Sequence, residues 1–157
     1  MPIKMNEIDK RILNLFDNGT LKPMRAYSGR HDTLIRFIEV NQLGVIEIQA
    51  DNIENDTCNV TRRQIFAKNN HVESFSRTMP LKDNTLLKLQ LKKLYCTNVA
   101  IALLACPPAI DSGNYLVEVY SKNSYIAYYR GGFSSNNPGD LDDFRNLMFQ
   151  ISRKRGS

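Results

Sequence analysis

Arginine and lysine acquire chemistry when they gather, because guanidinium forks and ammonium point charges bind phosphate or carboxylate. Between Arg62 and Lys93 this chain holds eight basic residues against Glu73 and Asp83, a local charge of +6 where the whole chain carries +5. The flanks are close to neutral, −2 over residues 1–61 and +1 over residues 94–157. Charge this concentrated predicts a surface that meets an anionic partner, with Arg62, Arg63, Lys68, Arg77, Lys88, Lys92 and Lys93 as its binding groups. Read as a hairpin turning at Asn69-Asn70, the segment sets Lys68 opposite His71, Phe66 opposite Glu73, Gln64 opposite Phe75 and Arg62 opposite Arg77. Two arginines face to face cost stability unless an anion bridges them. The alternative is a solvated face whose basic groups pair with Glu47, Glu54 or Asp56.

A second candidate is aromatic. Five of the seven tyrosines fall between Tyr115 and Tyr129, and a hairpin turning around Ser121 to Ser124 puts Leu116, Tyr120, Tyr125 and Tyr129 on one face. Val117, Val119, Ile126 and Tyr128 occupy the other, which reads as core. The tyrosine face could stack nucleobases, at about 1–3 kcal/mol per base, or serve as ordinary cross-strand filler.

Catalysis finds no such support. His31 and His71 are the only histidines, and neither stands near a cysteine, serine or acid in a nucleophile arrangement. Cys58, Cys96 and Cys106 have no metal-ligand spacing, and an odd number of cysteines at long intervals fits reduced thiols. Gly131-Gly132 and Asn136-Asn137-Pro138-Gly139 are turns, while Asp140, Asp142 and Asp143 stand where a helix N-terminus favours acids. The expectation is a protein that is not an enzyme and needs no cofactor or metal.

The elements that must position these residues follow from periodicity. Ile8, Ile12, Leu15 and Phe16 recur at helical spacing, predicting a helix over 5–16. Leu34 to Val40 and Val45 to Ala50 alternate with period two across a short glycine-containing loop, a first hairpin. The basic hairpin follows, and Pro80 ends it. Residues 86–94 alternate as a strand would, but their Leu, Lys and Gln favour a helix, capped by Asp83, Asn84 or Thr85, with Leu87, Leu91 and Leu94 on one stripe. Val99 to Cys106 is continuously apolar and predicts a strand buried on both faces. After the tyrosine hairpin comes a last helix containing Leu141, Phe144, Leu147, Met148 and Ile151.

This order has no alternating strand-helix pattern, so the expected class is α+β. It comprises one domain over residues 1–157, an antiparallel curved sheet or partial β-barrel with N-terminal, internal and C-terminal helices. At the level of fold alone, a curved sheet with a C-terminal helix resembles PH-like domains. A helix followed by a long apolar strand is similar to SPOC-type barrels, and that resemblance implies a phosphorylated or acidic peptide as partner. No apolar run is long enough to span a bilayer, and no N-terminal signal is evident, which predicts an intracellular protein, nuclear or cytoplasmic, with no membrane partner. The sequence reading is therefore a binding module whose anionic partner is nucleic acid, single-stranded or RNA. The alternatives are an acidic or phosphorylated protein segment, or an acidic neighbour in a larger assembly.

Overall fold

The computed structural model describes residues 10–23, 33–51, 53, 58–96, 115–121, 124–130 and 139–153. A short helix, α1 (Lys10–Asp17), precedes two hairpins built from β1 (Thr33–Asn41), β2 (Gly44–Asp51), β3 (Asn59–Phe66) and β4 (Val72–Thr78). Helix α2 (Leu81–Cys96), the hairpin of β5 (Tyr115–Ser121) and β6 (Ser124–Arg130), and helix α3 (Gly139–Ile151) complete it. The strands form one open antiparallel sheet in the order β4-β3-β2-β1-β5-β6. The α+β class is as the sequence implied, and the described strands do not close into a barrel.

Period-two alternation splits the sheet into two faces. One carries Ile35, Phe37, Ile46, Ile48, Val60, Val117 and Val119, and packs against Leu87 and Leu91 of α2 and Phe144, Leu147, Met148 and Ile151 of α3. Phe37 joins strand to helix, its ring 5.6 Å from that of Phe149 in an edge-on arrangement. The other face carries Ile38, Val40, Val45, Ile65 and Leu116 against Ile12, Leu15 and Leu21 of the α1 region. Helices on both faces leave β1 buried along nearly its whole length, charged residues included. The sequence reserved that position for Val99 to Cys106, a segment outside the described residues.

Two expectations change in detail. The second hairpin turns through four residues, Ala67 to Asn70: Asn70 adopts φ 55°, and the Phe66 amide donates to the His71 carbonyl at 2.8 Å. Arg62 therefore stands opposite Phe75, not Arg77, and Gln64 opposite Glu73. A slip of two residues leaves every side chain on its expected face, because the period is two. What sets the wider turn is its neighbour: the Ala67 amide donates to the Leu43 carbonyl at 2.9 Å, clamping the tip to the β1–β2 turn. Residues 86–94 are helical, and that helix begins at Leu81, immediately after Pro80, so that Asp83 and Asn84 lie inside its first turn. The tyrosine hairpin has the expected register, with Tyr120 opposite Tyr125 and Leu116 opposite Tyr129.

Candidate binding surface

Adjacent residues of a strand point to opposite faces, so Arg62 and Arg63 cannot serve one surface. Arg62 lies on the α2/α3 face with its guanidinium 5.5 Å from the centre of the Phe149 ring. Burial there, and then the charge of Arg153, lower its pKa from the ordinary arginine value. Arg63 lies on the α1 face, where Nε donates to Glu47 Oε1 at 2.5 Å and Nη2 to the Thr20 carbonyl at 3.1 Å. Arg77 is back on the α2/α3 face, and its Nη2 donates to Asp83 Oδ2 at 3.2 Å. The three arginines that looked most able to fork a phosphate are each engaged inside the domain.

Arg63 ends a row of alternating charge that crosses four strands. Arg36, fully buried on β1, donates from Nε to Glu118 Oε1 at 2.8 Å and from Nη1 to the Lys22 carbonyl at 2.5 Å. Its Nη1 also lies 3.5 Å from Glu47 Oε2, so Glu118, Arg36, Glu47 and Arg63 follow one another across β5, β1, β2 and β3. The guanidinium sits 5.2 Å from the Phe16 ring of α1. Together these contacts hold the chain after α1 onto the sheet. A cavity of about 190 Å³ opens beside the row, lined by Thr20, Lys22, Glu47, Gln49, Thr61 and Arg63.

The tyrosine face is divided. Tyr120 is buried against Leu34, as a core residue would be. Tyr125 and Tyr129 sit on the same face by register, and their side chains are outside the described set. Of the lysines, Lys68 is exposed at the tip of the second hairpin, while Lys88, Lys92 and Lys93 are exposed on α2.

α2 also carries something the sequence reading passed over. With Leu87 and Leu91 turned to the core, the outward side presents Leu81, Leu86 and Leu89, exposed by 59%, 39% and 50%, together with Lys82. These leucines account for half of the large exposed apolar residues among those described. The signal was available, because placing Leu87 and Leu91 inward leaves Leu86 and Leu89 outward at 100° per residue. The one acid of the helix, Asp83, is taken up by Arg77. The charged residues that α2 itself presents outward are thus all lysines, set among leucines.

Other chemistry has little to build on among the described residues. His71 is exposed and stacks on Phe66 with ring centres 5.9 Å apart. Cys58 is a buried free thiol whose pKa is pushed up to about 12, first by burial and then by the charge of Asp51. No group of three or more His, Cys, Asp or Glu side chains among the described residues could hold a metal ion. No described helix is long and apolar enough to cross a membrane. No protein-family model matches this chain, and no curated protein does.

Proposed function

We propose that this domain is a non-enzymatic protein-interaction module that docks an acidic, partly apolar polypeptide segment on the outward face of α2. The observation that carries the reading is the setting of Leu81, Leu86 and Leu89 among Lys82, Lys92 and Lys93 on one exposed helix surface, with Lys88 on its flank. Phosphates reward lysine, but exposed leucines gain nothing from a phosphate backbone. A polypeptide with carboxylates beside apolar side chains satisfies both, burying the leucines while its acids meet the ammonium groups. The engagement of Arg62, Arg63 and Arg77 within the fold supports the same reading, since it leaves lysines, not arginine forks, as the exposed cations of the basic segment. An intracellular setting belongs to the proposal, supported by a buried cysteine that remains a free thiol.

The test compares a labelled glutamate/leucine copolymer, polyglutamate and single-stranded RNA of matched charge, at low and high salt. The copolymer is expected to bind more tightly than polyglutamate, with the advantage lost in Leu86→Ser/Leu89→Ser and all binding weakened in Lys82→Ser/Lys88→Ser/Lys92→Ser. RNA bound more tightly than the copolymer, with a steep salt dependence that the leucine variant does not change, would return the function to nucleic acid.

A further inference from the structure

Resting on that reading, we infer that the docked segment is itself an α-helix, laid along α2 with two apolar residues over Leu86 and Leu89 and acids one turn beyond at each end. The spacing is the first reason. Lys82, Leu86, Leu89 and Lys92, with Lys93 beside it, follow the four-three rhythm of residues that face a neighbouring helix. The apolar pair occupies the middle and the cations occupy the ends, about 15 Å apart along the helix axis for ten residues.

The backbone is the second reason. An extended segment adds affinity by bonding its amides and carbonyls to a sheet edge, but the middle of α2 offers no such groups, since its own i to i−4 bonds use them. An extended segment lying on Leu86 and Leu89 would leave desolvated backbone groups unbonded. A helix arrives with them satisfied. Nor does a second copy of this domain fit the same face. Antiparallel pairing of two α2 helices sets Lys82 against the region of Lys92 and Lys93, and parallel pairing sets each lysine against itself, like charge on like in both cases.

The experiment uses three synthetic peptides of one composition in an alanine background. The first places two leucines three residues apart with a glutamate one turn before and one turn after. The second scrambles the same residues, and the third moves a proline between the leucines. The whole chain should bind the first peptide about tenfold more tightly than either of the others, the worth of roughly one well-buried leucine. The peptide should gain helical circular dichroism on binding. Lys82→Glu/Lys92→Glu should abolish the preference, and replacing the peptide's glutamates with lysines should restore it. Equal affinity for all three peptides would overturn the helical docking while leaving an acidic, apolar partner in place. Failure of every peptide and of the glutamate/leucine copolymer would take down the docking surface itself. Binding to anionic phospholipid vesicles in preference to the ordered peptide would overturn it in favour of a lipid surface.

Discussion

At the scale of single residues, the buried charges among the described residues, Arg36, Glu39, Glu47 and Glu118, each stand against a charge of opposite sign. Glu39 of β1 is almost fully enclosed and receives Arg145 of α3 at 2.5 Å and 3.1 Å through two oxygens. Burial raises its pKa, and the hydrogen bond and charge of Arg145 pull the other way. Because the folded value lies above the unfolded one, the native state holds a proton in that window that the unfolded chain has released. The contribution of Glu39 to stability is therefore greatest below the ordinary glutamate range and falls as pH rises through the raised folded value. Arg145→Leu removes both opposing influences and should cost about 1–3 kcal/mol at neutral pH, less than stripping a partner from a fully buried pair because Arg145 itself is partly exposed to solvent. The loss should shrink toward acid pH as Glu39 takes up its proton, and adding Glu39→Gln should recover much of it at neutral pH. Urea denaturation of the three proteins at both pH values measures this; a pH-independent loss would mean that Arg145 acts by packing alone.

At the scale of elements, the hairpins are tied to each other at their turns. Asn41 Oδ1 accepts the Leu43 and Gly44 amides, and its Nδ2 donates to Gln64 Oε1. Gly44 has φ +145°, and a Cβ there would collide with the Ile65 carbonyl oxygen and stand 2.7 Å from the Ala67 amide nitrogen. Gly44→Ala should cost about 2–5 kcal/mol from strain and steric conflict together. Gly19 supplies the control: its φ is +81° and nothing lies within 4 Å of the added carbon, so Gly19→Ala should cost only the strain, about 1–3 kcal/mol. Equal losses in thermal or urea unfolding would show that the close approach at Gly44 relaxes freely.

These turns mark where the sequence stops being legible. The four hairpin strands, the register of β5 with β6 and the inward leucines of α2 follow from local periodicity, and they are in place. The register of β3 with β4 depends on a contact with a different hairpin, which no local pattern encodes. The fates of Arg36, Arg62, Arg63 and Arg77 likewise depend on partners that sequence distance hides, Glu118 lying 82 residues from Arg36. Of the candidate binding residues, Lys88, Lys92 and Lys93 were readable because exposure follows from helical phase, and Lys68 because it stands in a turn. The arginines were not, because a strand residue's fate depends on what covers its face.

On the scale of the whole molecule, one strand joins the layers. Phe37 touches Tyr115 within the sheet, ring centres 5.4 Å apart, and Phe149 of α3 across it. Phe37→Ala should cost about 3–5 kcal/mol. Far-ultraviolet circular dichroism and tyrosine fluorescence should report a single coincident transition in both proteins, the chain having no tryptophan to obscure the tyrosines. Two separated transitions would show that the helical layer and the sheet melt independently.

The place of β1 between β2 and β5 also bears on how the protein is made. Translation delivers residues 33–41 and their partner β2 early, but the strand that completes the other side of β1 spans residues 115–121. Throughout the interval the nascent chain displays an open strand edge lined by Leu34, Phe37 and Ile38, the kind of edge that recruits foreign strands. Ribosome-tethered chains ending at residue 114 should therefore be clients of nascent-chain chaperones, and chains long enough to release β5 beyond the exit tunnel should let go of them.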